Sequence, residues 1–334
     1  MQAVWYELQG PARDVLVVGD MPDPEPAPGE VRVRVHASGI NPGDVKKRQN
    51  TFGVGLPFPR IIPHSDGAGI VDRVGHGVFA LRVGQRVWCY GAQSYRQFGT
   101  AAEFVVVPSA QVMPLADAVS FEQGACLGIP GITAHRAVHA GGPVSGRTVL
   151  VQGGAGAVGQ CAVGLARLGG AKVIATVRSE ADVAVARRAG AHEVVRTAGR
   201  DAPVLIGQLR QLAPQGVDHI VEVAFDANIE LDTELLAVGG SIGAYATGQA
   251  TPSIPFWPLV FKNISVHFLG SDDFPVAAKS EAAAAMNDLL ASGWPGLTID
   301  SAFPLARTAE AHERVESGQA SGRVVVQVPG GAAT

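Results

Sequence analysis

The sequence is poor in cysteine, has little net charge, and lacks any long apolar run. Its three cysteines, Cys89, Cys126 and Cys161, are scattered and form no C-x-x-C pair, which argues against a disulfide framework and against a four-cysteine zinc site. The net charge is −4 with no basic face or run, so we expect no nucleic-acid partner. No apolar run reaches about 18 residues, so we expect no membrane span.

The first residues also lack the charged start and long apolar stretch of a secretory signal peptide. What is present is a chain of 334 residues, 47% hydrophobic and 17% charged, which is enough for about two folded domains with a large core. We therefore expect a folded protein that works in the cytoplasm.

The stretch from Thr148 to Gly159 carries the most informative motif. An apolar run is followed by a glycine cluster and then by small residues in a helical pattern, which predicts strand, tight turn and helix. Gly154, Gly156 and Gly159 fit G-x-G-x-x-G, the dinucleotide-binding fingerprint, in which the glycines permit the turn, the approach of the pyrophosphate and close helix packing. The alternative is a glycine-rich turn that binds no ligand.

The rest of the chain changes character around this motif. Short strands separated by glycine and proline fill the first third, which predicts a partly open β-barrel. From Thr148 onward strands and helices alternate, which indicates a parallel sheet with helices on both faces. The last residues return to mixed structure and end in a strand. We therefore predict a nucleotide-binding domain inserted into a β-rich domain, with a ligand in the cleft between them.

Seven motifs, matched in order and spacing along nearly the whole chain, resemble the zinc-free quinone oxidoreductases of the medium-chain dehydrogenase/reductase superfamily, the ζ-crystallin-like branch. These motifs are Gly39–Arg48, Pro63–Gly69, Gly99–Phe104, Gly128–Ala134, Gln152–Gly159, Arg188–Ala191 and Gly239-Gly240. The resemblance implies an α/β fold in which a Rossmann doubly wound parallel sheet, residues 125–268, is joined to a GroES-like β-barrel catalytic domain, residues 1–124 and 269–334. It also implies NADPH-dependent transfer of hydride to quinones or to α,β-unsaturated carbonyl compounds.

The resemblance leaves no complete zinc site. Zinc alcohol dehydrogenases carry Gly-His-Glu around the position of His64, whereas this chain has Pro-His-Ser-Asp-Gly there, and the zinc cysteines have no match. One histidine and one aspartate do not complete a tetrahedral site of nitrogen and sulfur ligands. We predict no metal, with His64 bracing a turn, and metal ligation by His64 as the alternative.

The residues after the second strand of the parallel sheet bear on the choice of cofactor. NAD sites place an acidic residue there, about 20 residues past the glycines, to bind the ribose hydroxyls. Here Arg178 and Ser179 stand at that point, and a guanidinium with a hydroxyl suits the 2′-phosphate of NADPH. Asp182 stands where many relatives have a lysine and adds negative charge. The alternative is that Arg178 is simply an exposed residue at a helix start.

Other cofactor contacts are implied by the resemblance, from the pyrophosphate turn to the nicotinamide carboxamide. They are Thr133, Gly154, Ala155, Gly156, Ala157, Val158, Gly159, Thr197, Asp226, Gly243, Ala244, Tyr245, Phe268, Leu269, Gly270 and Arg323. Tyr245 and Phe268 are equally consistent with core aromatics.

The resemblance places the catalytic candidates Asn41 and Lys46 on one loop of the barrel domain. Asn41 would contact the substrate carbonyl or the cofactor, and Lys46 replaces a tyrosine of the ζ-crystallin type and would supply a cation or a proton. For the neighbouring Lys47 and Arg48 the simpler expectation is solvated surface.

Aromatic side chains are the candidate walls of the substrate pocket, since flat rings suit a quinone or enone. The principal candidates are Phe52, Tyr90, Tyr95 and Trp257, which are also compatible with plain core. Two other functions stay open: a non-catalytic NADPH-binding protein, and an enoyl reductase for substrates bound to CoA or a carrier. From the family we expect a homodimer formed through the apolar segment 260–269.

Overall fold

A computed structural model describes residues 1–329, which form two compact units. The first unit contains residues 1–129 and the segment that begins at Leu297, and the second contains residues 130–296. The sequence predicted domain boundaries after residues 124 and 268. In the structure the chain passes between the units after residues 129 and 296, later in both cases. Residues 269–296 fall in the second unit because their helix packs there: at Gly164 an added Cβ would lie 3.0 Å from Leu289 of that helix.

The N-terminal part of the first unit consists mainly of short strands. They run as β1 (Gln2–Trp5), α1 (Ala12–Val15), β2 (Val17–Asp20), β3 (Glu30–Gly39), α2 (Pro42–Arg48), β4 (Asp66–Val74), β5 (Arg86–Cys89), β6 (Phe104–Pro108), β7 (Val112–Pro114) and α3 (Phe121–Gly124). In β3, Val31, Val33 and Val35 are buried, so the alternation of valine with polar residues correctly predicts a strand. The strand expected from Val15 begins only at Val17, because the residues before it close a short helical turn.

The second unit alternates helices with strands. Its elements are α4 (Gly128–His139), β8 (Thr148–Val151), α5 (Ala157–Leu168), β9 (Lys172–Val177), α6 (Glu180–Ala189), β10 (Glu193–Arg196), α7 (Ala202–Leu212), β11 (Val217–Glu222), α8 (Phe225–Leu235), β12 (Leu236–Ala244), α9 (Phe256–Phe261), β13 (Ser265–Phe268) and α10 (Val276–Ala291). The strands form one parallel sheet in the order β10-β9-β8-β11-β12-β13. That is the order 3-2-1-4-5-6 of a doubly wound dinucleotide-binding fold.

The sheet of the second unit is buried on both faces. Leu150 and Ile220, which point to one face, and Val149, Val151 and Val221, which point to the other, have no exposed surface. Strands covered by helices on both sides read as continuous apolar runs, which is why the sequence of β8 shows no alternation. The carboxyl ends of these strands form the edge to which nucleotides bind in such folds.

The C-terminal segment completes the first unit with β14 (Ile299–Pro304), α11 (Thr308–Glu316) and β15 (Arg323–Gln327). The larger sheet of this unit has seven strands, in the order β14-β15-β3-β4-β5-β7 with β6 also paired to β3. β15 pairs antiparallel with the end of β3, next to the start of α2. Across residues 1–329, no helix is long and apolar enough to cross a membrane.

Candidate cofactor and active site

The turn between β8 and α5 has the geometry of the glycine fingerprint. Gly153 adopts φ +69°, and a Cβ on Gly159 would lie 2.2 Å from the carbonyl oxygen of Gly153. Neither position accepts a side chain without a backbone shift. α5 begins at Ala157 and its N-cap residue, Gly156, supplies no side-chain cap, so the first N–H groups of the helix are not capped by a side chain. An anionic group such as a pyrophosphate fits this helix end.

Hydrogen bonds to β9 hold the glycine turn in place. The N–H of Gly154 donates to the carbonyl oxygen of Thr176 at 2.8 Å, and the N–H of Gly153 donates to the Thr176 hydroxyl at 3.2 Å. That hydroxyl in turn donates to the side-chain oxygen of Gln152 at 2.5 Å. A Cβ on Gly154 would lie 2.7 Å from the Cβ of Ala175, so the turn also lies close against β9.

The residues predicted to determine the preference for NADPH over NADH follow the end of β9. Arg178 is exposed, and no other residue in 1–329 hydrogen-bonds to its guanidinium. The Ser179 hydroxyl caps α6: it donates to the Asp182 carboxylate at 2.7 Å and accepts the Asp182 N–H at 3.3 Å. Arg196, which sequence analysis missed, is exposed at the end of β10 in register with Val177. The alignment of the two strand ends was the signal that could have revealed it.

Two further cofactor candidates make local hydrogen bonds at the same sheet edge. The N–H and hydroxyl of Thr197 both donate to the carbonyl oxygen of Val177, at 2.8 and 3.2 Å. The Asp226 carboxylate accepts the Gly248 N–H at 2.7 Å and the Thr247 hydroxyl at 3.1 Å. The Gly248 N–H, with a smaller contribution from Thr247, lowers the pKa of Asp226. Thr197 therefore ties the end of β10 to β9, and Asp226, in the first turn of α8, orders the loop that contains Thr247 and Gly248.

The ends of β12 and β13 bring together most candidates for the nicotinamide side. Ala244 stands opposite Phe268 in register, and the N–H of Leu269 donates to the carbonyl oxygen of Ala244 at 2.9 Å. Gly270 follows directly. Gly243 is enclosed, since a Cβ there would lie 2.5 Å from a carbonyl oxygen of α4. The resemblance predicted this set, and the parallel pairing of the two strands places it at one edge.

The two aromatic candidates at this edge differ in exposure. Phe268 is 71% exposed and meets the Phe225 ring edge-on with 5.3 Å between centroids, so the core alternative is wrong for Phe268. Tyr245 is half-buried, and burial together with the Glu222 carboxylate raises the pKa of its phenol, which keeps Tyr245 neutral.

Thr133, the remaining cofactor candidate of the second unit, is buried on α4.

In the first unit, Asn41 directly precedes α2, and its side-chain amide is held at both ends. Its Nδ2 donates to Asp66 at 2.8 Å, and its Oδ1 accepts from Nη1 of Arg323 at 2.9 Å. Asp66 also accepts the N–H of Ile129 at 2.9 Å. Burial raises the pKa of Asp66 to about 7. The amide of Asn41 thus has a fixed orientation, with one N–H remaining for another acceptor.

Arg323 lies on β15 and is almost fully buried. Its Nη2 is 3.9 Å from the Asp66 carboxylate, and neither Nε nor Nη2 makes a hydrogen bond to another of the described residues. A buried guanidinium with unused donors is unusual, because each unpaired donor is costly in a protein interior. Arg323 therefore retains capacity for a further acceptor.

The charged residues of α2 have different surroundings. Lys46 is exposed, as a residue offering a cation to a ligand would be. Arg48 is fully buried, so the expectation of solvated surface is wrong for Arg48. Its Nε donates to Nδ1 of His312 at 3.3 Å, and its terminal nitrogens bond to the carbonyl oxygen of Gly10 and to Glu316. These partners lie on other elements, chiefly α11, which covers this side of α2.

His64 is fully buried and uses both ring nitrogens. Nδ1 lies 2.8 Å from the Ser38 hydroxyl, and Nε2 lies 2.8 Å from Nε2 of His312. The backbone of His64 has φ +77°, a conformation that non-glycine residues rarely adopt. These hydrogen bonds to β3 and α11 are of the kind that the bracing interpretation of His64 predicts. Within residues 1–329, no three His, Cys, Asp or Glu side chains are grouped so as to hold a metal ion.

The four substrate-pocket candidates are not alike. Phe52 and Tyr95 of the first unit and Trp257 of the second are 56%, 71% and 64% exposed. Tyr95 lines a surface pocket of about 330 Å³ with Phe98. Tyr90 is almost fully buried and its hydroxyl donates to a backbone carbonyl oxygen at 2.8 Å. In this arrangement the Tyr90 ring cannot meet a ligand from solvent.

Comparison with known proteins gives matches over most of the chain. Residues 27–117 match the alcohol dehydrogenase GroES-like domain, and residues 157–285 match a family described as zinc-binding dehydrogenase. The chain is 32% identical to the quinone oxidoreductase of Rattus norvegicus over 317 residues, 93% of this chain and 92% of that protein.

Solved structures agree with that result. The chain is similar to an NAD-dependent alcohol dehydrogenase, with 29% identity, a TM-score of 0.85, and 98% of this chain and 100% of that one covered. It is also similar to a mycobacterial protein in complex with NADPH, with 27% identity, a TM-score of 0.84, and the same two coverages.

Proposed function

The chain belongs to the ζ-crystallin-like quinone oxidoreductase branch of the medium-chain dehydrogenase/reductase superfamily, and from this premise we propose that it is an NADPH-dependent reductase of quinones or α,β-unsaturated carbonyl compounds. An oxidoreductase role follows from the family. We propose the identities of the cofactor and the substrate, and the roles of individual residues.

The observation that supports the proposal best is the glycine turn in the parallel sheet. A Cβ on Gly159 would lie 2.2 Å from a carbonyl oxygen, and no side chain caps the N-terminus of α5. The first feature packs the start of α5 closely on the turn, and the second leaves N–H groups that suit a pyrophosphate, in a sheet with the strand order of dinucleotide-binding folds. A glycine-rich turn without ligand does not require such close packing.

Two arginines support NADPH over NADH. Arg178 and Arg196 stand exposed at the ends of β9 and β10, neighbouring strands that pair in register. Guanidinium groups match the geometry of a phosphate, whereas an NAD site has an acidic residue at this position. Ser179 contributes less than the sequence suggested, because its hydroxyl already bonds to Asp182. That carboxylate is the feature that favours NADH as the alternative cofactor.

When bound, the reduced nicotinamide supplies the hydride. The chain supplies orientation and charge. Asn41, held by Asp66 and Arg323, would direct its remaining N–H at a carbonyl oxygen or at the cofactor. The free donors of Arg323 suit an oxygen of the cofactor. Lys46, exposed on α2, would stabilise the negative charge that develops on the substrate oxygen, or donate a proton for an enone.

We propose that the chain forms a homodimer through the edge of the parallel sheet. β13 is the last strand of that sheet, and the preceding α9 exposes Phe256, Trp257 and Phe261, whose rings contact one another with centroids 5.4 and 5.9 Å apart. An exposed strand edge beside exposed aromatic rings favours association with another copy.

The test is oxidation of NADPH, with NADH in parallel, against 1,4-naphthoquinone, 9,10-phenanthrenequinone, 2-cyclohexenone and 1-octen-3-one. We expect turnover with NADPH and with at least one of these acceptors. Turnover of quinones alone or of enones alone assigns the substrate class. NADPH binding without turnover would contradict the proposed reaction and favour a binding protein or a substrate attached to a carrier. Full loss of activity on chelation, restored by zinc, would contradict the metal-free prediction.

A further inference from the structure

Two carboxyl groups lie side by side in the interior of the second unit. Glu222 ends β11 and Asp232 lies on α8, and both side chains are fully buried. They interact directly, since the Glu222 carboxylate raises the pKa of Asp232. Two ionised carboxylates cannot share such a site without a counter-charge, so the pair must hold a proton.

The donors around the pair show which carboxyl carries the proton. Glu222 accepts from the N–H of Ala224 and from Nδ2 of Asn228, the latter at 3.0 Å, as an ionised carboxylate does. Asp232 has one donor, Nε2 of Gln152, at 2.8 Å on Oδ1, and none of the described groups donates to its Oδ2. Asp232 is therefore the neutral acid of the pair.

The charges around the pair agree with this assignment. Burial, followed by the neighbouring Glu222 carboxylate, raises the pKa of Asp232 well above its ordinary value. The other titratable groups that face the site are Tyr245, which follows β12 and is neutral, and Cys161 of α5, which lies beside Tyr245. No cation among residues 1–329 contributes to the field at Asp232.

A one-way series of hydrogen bonds joins the acid to the glycine turn. The N–H of Gly153 donates to the Thr176 hydroxyl, which donates to Oε1 of Gln152. Nε2 of Gln152 donates to Oδ1 of Asp232 at 2.8 Å. Since each member uses its donor and acceptor in a fixed sense, the amide of Gln152 can take only one orientation.

We propose that Asp232, as a buried neutral acid, is a positioning residue for the dinucleotide: it fixes Gln152 and, through Thr176, the glycine turn that meets the pyrophosphate. The role rests on the proposed dinucleotide binding. The pyrophosphate is common to NADPH and NADH, so loss of this support weakens the binding of both to a similar extent. That pattern separates it from the effect of Arg178, which concerns the 2′-phosphate only.

Four variants test the proposal. Asp232→Asn keeps an acceptor for Gln152 and stays uncharged beside Glu222 but carries no titratable proton, so it should substitute for the acid. Asp232→Leu and Thr176→Val each break the series at a different point, and Thr176→Val keeps the shape of the side chain. Glu234→Gln is the control on the same helix, because Glu234 is exposed and pairs with Arg210 at the surface.

The readouts are NADPH and NADH dissociation constants, from fluorescence titration without substrate, and NMR hydrogen exchange of the Gly153 and Gly154 amides in the free protein. We expect Asp232→Leu and Thr176→Val to weaken both cofactors by on the order of tenfold, with faster exchange at Gly153. Asp232→Asn and Glu234→Gln should stay within about twofold of the wild type.

Three results would overturn the proposal. Asp232→Asn could bind as weakly as Asp232→Leu, Thr176→Val could bind both cofactors as the wild type does, or either breaking variant could weaken NADPH alone. If Asp232→Leu does not fold, the NADPH and NADH dissociation constants of Thr176→Val decide whether the proposal holds. A wild-type protein that binds neither dinucleotide would refute the proposed function instead, and the exchange rate of Gly153 in the variants would still report whether Asp232 supports the turn.

Discussion

The buried histidine pair of the first unit predicts how its stability changes with pH. The Thr100 hydroxyl donates to a carbonyl oxygen at 2.7 Å, so it accepts from Ser38, which must then accept from Nδ1 of His64. Nε2 of His64 consequently accepts from His312, whose Nδ1 accepts from Arg48. Both rings are neutral in this arrangement, and a proton added to either one leaves two donors facing each other.

The size of the effect follows from the pKa values. Burial, with the added repulsion of Arg323, lowers the pKa of His64 to about 3, and burial, followed by His64 and Arg48, lowers the pKa of His312 well below its ordinary value. In the unfolded chain each histidine titrates near about 6.5. Each therefore destabilises the fold by about 1.4 kcal/mol per pH unit below that value, or about 2 kcal/mol at pH 5. The stability that depends on these two histidines is fully present above about pH 6.5 and is lost as the pH falls below it.

The variant His312→Gln isolates one histidine. A glutamine can donate to His64 and accept from Arg48, but it does not titrate. We expect its free energy of unfolding to be lower than that of the wild type at pH 8, and the difference to shrink by about 2 kcal/mol at pH 5. Asp66, whose raised pKa acts in the opposite sense, is present in both proteins and cancels in the comparison.

The assay is urea unfolding at half-unit steps from pH 8 to pH 5, followed by fluorescence. His76→Gln, at an exposed histidine of the same unit, is the matched control and should run parallel to the wild type. Parallel curves for His312→Gln and the wild type would refute the reasoning, because they would show that His312 gains its proton equally in the folded and the unfolded state.

Four further predictions concern binding, chemistry and assembly. Gly159→Ala should weaken NADPH binding at least about tenfold, since its Cβ has no room; fluorescence titration measures this, and unchanged affinity would contradict the role of the turn. Arg178→Ala should raise the NADPH KM much more than the NADH KM in steady-state assays, and equal increases would contradict the assignment. Lys46→Gln should lower kcat more for enones, whose enolate must take its proton on carbon, than for quinones, whose hydroquinone anion takes its proton on oxygen from water, and equal loss would argue against proton donation. Phe261→Glu, at a 74% exposed ring, should convert a dimer to a monomer in light scattering, and a monomeric wild type would contradict the dimer.

The sequence was sufficient to predict the fold class and the glycine turn, because both depend on local pattern. The G-x-G-x-x-G spacing and the apolar run of β8 can both be recognised within a short stretch of chain. The barrel was predictable for a similar reason, as the alternation in β3 marks one buried face. The resemblance added Asn41 and Arg323, which the structure brings within hydrogen-bond distance.

What the sequence could not show are contacts between distant elements. Arg48 looked like surface because it follows two lysines, and its burial depends on His312 and Glu316, far along the chain. Asp232 lies in a helix with other acidic residues, which usually indicates a solvated face, and only the packing of α8 on the sheet buries it against Glu222. The sequence could not distinguish Tyr90 from an exposed aromatic residue, because its burial depends on how the end of β5 packs in the fold.

The division of the first unit between both ends of the sequence has a consequence for synthesis on the ribosome. Residues 130–296 are contiguous, so the second unit can fold as soon as they have emerged. The barrel must wait for β15 and α11, because Arg323 orients Asn41 and His312 occupies the interior beside His64. Until those residues are made, Asn41 lacks Arg323, Arg48 lacks His312 and Glu316, and His64 lacks His312. The nascent chain thus passes through a stage in which the second unit is complete while the Asn41 site is still unformed.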